Sequence, residues 1–138
     1  MSTDYIPAAL RRSVIERAQG RCEYCRISEY TGFVPHEIDH IVAQKHGGLT
    51  EADNLALSCA LCNKYKGSDI ASLDPETGHL TLLYHPRRDR WSDHFQLQGA
   101  QFTPLTSVGR TTVRLLKLNH PDRLVERELL VAAELFPL

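Results

Sequence analysis

The sequence predicts a small α+β fold, and three observations carry that expectation. The cysteines form two Cys-x-x-Cys pairs, Cys22/Cys25 and Cys59/Cys62, which use all four in the chain. Between the pairs, residues 37–40 alternate polar and apolar side chains as a half-buried strand does, extended by Ile41 and Val42, and 55–57 offer a second short apolar run. Helix signals flank these strands on both sides. With 138 residues and 42% hydrophobic content, the expectation is a modest core for which a metal staple is a useful supplement.

The elements follow in chain order. Residues 7–19 read as a helix, with Pro7 at its start, Ala9, Leu10, Val14 and Ile15 near helical spacing, and Gly20 placed as a C-terminal cap. Gly47 and Gly48 break the stretch after the first strand into a loop. The second Cys-x-x-Cys turn then leads into a short helix ending near Lys66. Beyond Ser68, residues 74–78 give a turn signal, 79–84 a strand-like run, and 94–97 with 101–103 a hairpin around Gly99. Thr106 or Ser107 is placed to cap a helix through 118, and Pro121 to open another through 135. The organisation expected is a core over 1–73 and a hairpin-and-helix extension over 74–138 packed on the same domain.

A Cys-x-x-Cys pair places two thiolates on one tight turn, and two such turns supply the four sulfurs of a closed tetrahedral zinc site. The 33 residues between Cys25 and Cys59 exceed a simple ribbon, so the metal would staple the base of a longer excursion. Disulfides would need an oxidising compartment, yet the N-terminus has no apolar leader and no stretch approaches a membrane span. A dithiol redox role asks for one exposed pair, not two spaced ones. Structural Zn²⁺ in a cytoplasmic protein, with no membrane partner, is the expectation.

The formal charge of −1 argues against a general nucleic-acid binder. The distribution softens this, because 11–26 carries Arg11, Arg12, Arg17, Arg21 and Arg26 against two acids, and 110–127 is similarly biased. In His85 to His94, three arginines and Trp91 could contact a nucleic acid; a polar turn with Trp91 as buried anchor is the favoured reading.

The runs HEIDHIVAQKHGG and DNLALSCALCNKYKGS, in the order strand, loop, strand, helix, resemble the HNH endonuclease family over about residues 20–68. The resemblance implies a ββα-metal fold and a metal-dependent endonuclease acting on DNA, double-stranded in the simplest case. It makes His40 the general base, Asp39 and Asn63 ligands of a catalytic divalent cation, and Asn54 the residue that holds the loop. The final letter of the motif is Asn here, a variant the family also uses. Lys66, in Asn-x-x-Lys-Gly, resembles a position near the phosphate backbone.

The chemistry suits these residue types. Phosphodiester hydrolysis needs an activated water, a charge sink on the phosphate, and help for the departing 3′-oxygen. Oxygen ligands such as Asp39 and Asn63 suit Mg²⁺ or Mn²⁺. A neutral histidine of pKa about 6.5 can take the water's proton. Neighbours on a strand point to opposite faces, so Asp39 and His40 diverge. Asn54 is expected to tie the loop and fix the imidazole tautomer through a backbone carbonyl. Glu37 shares the face of Asp39 and is either an auxiliary ligand or a partner for an arginine. Read singly, Asp-His is a solvated pair and each asparagine a cap or turn former; the shared frame gives them chemistry. The activity expected is nicking that leaves 5′-phosphate and 3′-hydroxyl ends. A zinc-stabilised nucleic-acid or protein interaction module without turnover is the alternative.

Overall fold

The computed structural model describes residues 5–32 and 34–137. The chain divides into two compact units, Met1–Ile70 and Ala71–Leu138. Among the described residues no helix is long and apolar enough to cross a membrane.

The N-terminal unit contains α1 (Ala8–Ala18), β1 (Glu37–His40), β2 (Leu55–Ser58) and α2 (Ala60–Lys66), in the order the sequence predicts. β1 and β2 pair antiparallel, with Glu37 opposite Ser58, Ile38 opposite Leu57, Asp39 opposite Ala56 and His40 opposite Leu55. Opposed residues share a face, so this register sorts the side chains. Leu55 and Leu57 join Val14 and Ile6 in a core that Leu10, Ile15, Ala18 and Ile38 complete. Glu37 and Asp39 lie on the other face, and both meet α2. Arg17 of α1 donates to the carbonyls of Leu55 and Ala52 at 2.6 and 2.9 Å, locking the helix to the start of β2.

Among the described residues, the C-terminal unit contains two hairpins and three helices. β3 (Ala71–Leu73) pairs with β4 (Leu80–Leu82) across a turn in which Asp74 accepts from the Glu76 amide at 2.9 Å. A four-residue helix, α3 (Trp91–His94), leads into β5 (Phe95–Gln98), which pairs with β6 (Gln101–Pro104) around Gly99 as predicted. The half-buried Trp91 ring packs 5.2 Å from Phe95 and 5.8 Å from Phe102, in line with the anchor reading. Thr106 caps α4 (Ser107–Leu115) by accepting from the Gly109 amide at 3.0 Å. α4 stops short of 118 because Lys117 takes a left-handed φ of 52°. α5 (Pro121–Ala132) opens at Pro121 and likewise stops before Glu134, at φ 59°.

Three arginines of 110–127 are engaged within the unit, while Arg114 and Lys117 are exposed. Arg110 grips Asp74 through Nε and Nη2 at 3.1 and 2.8 Å. Arg123 donates to the Leu116 carbonyl at 2.7 Å, and the buried Arg127 donates to the Ala100 and Leu118 carbonyls with its guanidinium 4.8 Å from the Phe102 ring centre. A guanidinium presents five donors and no acceptor, which suits it to gathering stray carbonyls inside a small unit.

Candidate metal centre and active site

The four cysteine sulfurs lie within 4.8 Å of one another and all four residues are buried. Tetrahedral zinc with Zn–S bonds of about 2.3 Å has sulfur–sulfur edges of about 3.8 Å. Cys25 Sγ and Cys59 Sγ are 3.7 Å apart, so the cage has the size of that ion. The two turns are built alike: the Cys25 amide points at Cys22 Sγ and the Cys62 amide at Cys59 Sγ, each at 3.4 Å. Hydrogen bonds from Cys22, Cys25 and Cys62 push the Cys59 thiol far down, while burial pushes Cys62 up. A soft divalent cation is the group that lets four clustered thiols ionise together. Size, donors and closure fit a structural zinc site.

Asp39 is buried at the centre of the other face. Its Oδ2 accepts from the Tyr24 hydroxyl at 2.8 Å and lies 3.2 Å from Lys66 Nζ. Lys66 is itself only 2% exposed, and Nζ also donates to the Ile41 carbonyl at 3.0 Å. The lysine expected beside phosphate is thus an internal cation. Burial raises the Asp39 carboxyl above its ordinary value, against the pull of Lys66 and the Tyr24 hydrogen bond. Burial also holds the Tyr24 phenol well above its ordinary value, with the negative charge of Asp39 adding to it, so the tyrosine is the donor.

One step outward on the same face, Asn63 Nδ2 donates to the Glu37 carboxylate. β1 and α2 are therefore joined by two rungs. Asp39 with Lys66 is the inner, buried one, and Glu37 with Asn63 the outer one, where Glu37 is exposed and Asn63 half-buried. Of the two oxygen ligands expected for a cation, Asn63 meets Glu37 directly and Asp39 meets Tyr24 and Lys66.

His40 faces the other way. Its Nε2 lies 2.8 Å from Thr50 Oγ1, and its buried Nδ1 has no hydrogen-bond partner among the described residues. Asn54 makes its hydrogen bonds with the backbone. It accepts from the Val42 amide and donates to the Val42 and Leu49 carbonyls, each at 2.9 Å, which pins both ends of the loop that carries Thr50. The expected link through a backbone carbonyl is thus replaced by a threonine hydroxyl. The paired glycines make this loop possible. Gly47 takes a φ of 91°, and a Cβ on Gly48 would sit 1.7 Å from the Val42 carbonyl oxygen and 2.8 Å from Asn54 Nδ2.

Residues 22–69 match the family described as HNH endonuclease. They form an HNH endonuclease domain. The family is one of phosphodiester hydrolases, and the antiparallel strand pair, following helix and buried four-cysteine cluster are consistent with its ββα-metal fold. Over 129 residues, 91% of its length, the chain is 26% identical to Septu protein PtuB of Bacillus thuringiensis. It spans 47% of that protein, about half the length of the curated relative it matches. No solved structure matches the chain.

Three residues of the HNH domain's interior network escaped sequence reasoning. Thr50 is ten residues from its histidine and no periodicity links them. Tyr24 sits inside a metal turn, where only the cysteines attract notice. Lys66 is singled out in the sequence for a phosphate contact, and it is its internal pairing with Asp39 that has no signal there, because lysine is ordinarily solvated.

Proposed function

We propose that the HNH domain is a divalent-cation-dependent endonuclease that nicks double-stranded DNA, leaving 5′-phosphate and 3′-hydroxyl ends. The observation that carries this reading is the state of His40: one ring nitrogen is engaged by Thr50 and the other is buried without a partner among the described residues. In the tautomer whose Nε2–H donates to Thr50, Nδ1 holds the lone pair that a general base needs. His40 then takes the proton of the attacking water, with Asn54 and the loop it pins keeping the ring aimed.

On the opposite face, the donors are hard oxygens, which fit Mg²⁺ or Mn²⁺ with several waters retained. Asp39 and Asn63 are the oxygen ligands, Asn63 presenting its carbonyl oxygen when its amide turns, and Glu37 offers a further, accessible carboxylate. The cation, when bound, offsets phosphate charge and supports the departing 3′-oxygen. In-line attack of water at phosphorus with departure of the 3′-oxygen gives the stated ends. A single such site cuts one strand, which supports nicking by a monomer.

A plasmid-nicking assay with Mg²⁺ or Mn²⁺ tests the proposal. The parent should convert supercoiled to open-circular DNA, and His40→Ala should lose about 10²- to 10⁴-fold in single-turnover rate while keeping its zinc. End-labelling should find 5′-phosphates. Parental cutting by His40→Ala, or 3′-phosphate ends, would overturn the mechanism.

A further inference from the structure

We propose that Tyr24 is a positioning residue that couples the sulfur site to the nuclease site, so that the Cys22–Cys25 turn orients Asp39 as well as holding metal. The inference rests on the nuclease reading above. Every residue of Cys22-Glu23-Tyr24-Cys25 has a defined partner. Cys22 and Cys25 contribute two of the four sulfurs. Glu23 docks the turn on β2: its amide donates to the Leu57 carbonyl and its carboxylate accepts from the Leu57 amide, both at 2.8 Å. Because Leu57 pairs with Ile38 of β1 on its other side, the turn extends the hairpin and is held in register with it. Tyr24 then passes from the turn to the β1 carboxylate, placing its hydroxyl 2.8 Å from Asp39 Oδ2.

The backbone of the turn is closed on itself, which makes this arm rigid. The Cys22 amide donates to the Ile27 carbonyl and the Arg26 amide to the Cys22 carbonyl, each at 2.9 Å. Tyr24 is 1% exposed and Asp39 4%. A phenol has two rotatable bonds and its ring is packed, so little freedom is left at the oxygen. With Lys66 on the same carboxylate, Tyr24 leaves Asp39 one orientation. A carboxylate that must meet a cation in one geometry gains from such support, and loss of an outer partner of this kind typically costs about 10- to 100-fold in metal affinity or activity.

Tyr24→Phe removes one oxygen and keeps the ring. In the variant, one zinc per chain and the circular dichroism should stay at parental values. Mn²⁺ binding, followed by the electron paramagnetic resonance of the free ion, should weaken about 10- to 100-fold. Saturating Mn²⁺ should return most of the cutting rate, which would not happen if the change only unfolded protein. In an Asp39→Asn background, Tyr24→Phe should add little further loss in Mn²⁺ binding, because the two act through one contact. Parental Mn²⁺ affinity in Tyr24→Phe, or full additivity of the two changes, overturns the positioning role while leaving the nuclease reading intact. A parent chain that neither binds Mn²⁺ nor cuts overturns both.

Discussion

A histidine that is to accept a proton needs one nitrogen held; Thr50 holds Nε2 of His40, and Nδ1 is buried with no hydrogen-bond partner among the described residues. The Thr50 hydroxyl is the ring's hydrogen-bond partner among the described residues, and a single neutral hydrogen bond is worth about 0.5–1.5 kcal/mol. Thr50→Val should therefore lower the single-turnover rate by about 2- to 10-fold, with zinc unchanged, and Thr50→Ser should restore it. A rate equal to parent in Thr50→Val would show that packing alone aims the ring. His40 itself was legible because Asp-His stands in a frame of strand, loop, glycine pair and cysteine turn, each of which narrows what the pair can do. Thr50 was not, since its contact with His40 exists only once Asn54 has folded the loop back onto Val42. The roles of Tyr24 and Lys66 were hidden for a related reason. A tyrosine or lysine declares itself internal only when the carboxylate that it meets has been placed, and strand register and helix phase together place Asp39.

At the scale of elements, the loop between β1 and β2 shows why two glycines are adjacent. Gly47 needs a left-handed φ, whereas Gly48 needs the space in which a side chain would stand, 1.7 Å from the Val42 carbonyl oxygen. Gly48→Ala must push the loop off Val42 and Asn54, which should cost about 1–3 kcal/mol or more in stability and carry Thr50 away from His40. Urea unfolding and the nicking assay should both report the change, while Gly47→Asn, whose side chain tolerates that conformation, should be milder. The β3–β4 turn offers a pH-dependent counterpart. Hydrogen bonds from Arg110 hold the Asp74 carboxyl well below its ordinary value of 3.8. A carboxyl lowered in the folded state contributes stability above its unfolded pKa and loses it as the pH falls through the folded one. The stability difference between the parent and Asp74→Asn should accordingly be full above about pH 5 and shrink below about pH 4; a difference that stays constant down to acid pH would mean that Asp74 acts by shape alone. Several elements were legible from a local signal: Pro121 opens α5, Thr106 caps α4, and Gly99 turns the β5–β6 hairpin, whereas the short β3 and α3 were not read from the sequence. The ends of α4 and α5 were less so, because left-handed Lys117 and Glu134 have no such signal in their side chains.

For the molecule as a whole, the formal charge is −1, and Arg17, Arg123 and Arg127 are turned to backbone carbonyls of their own units, while Arg11, Arg12 and Arg114 stay exposed. On the nuclease reading proposed above, the sulfur cage and the oxygen cluster would hold metals of different kinds. Four buried sulfurs form a closed, soft cage that draws together a turn near the start of the fold and the first turn of α2, so loss of its metal is loss of structure. Under that proposal, Glu37, Asp39 and Asn63 would offer a few hard oxygens, those of Asp39 already shared with Lys66, to an ion that would keep most of its water. The sites should fail in sequence. A mild chelator should stop cutting while one zinc per chain and the circular dichroism persist, and added Mg²⁺ or Mn²⁺ should restore the rate. Cys22→Ser or Cys59→Ser should instead lose zinc, lower the melting temperature and abolish cutting beyond rescue by any excess of Mg²⁺. Because Cys62 immediately precedes Asn63, and Cys59 caps α2 by accepting from the Cys62 amide, a cysteine variant that stays folded and active would break the link by which the sulfur cage places Asn63.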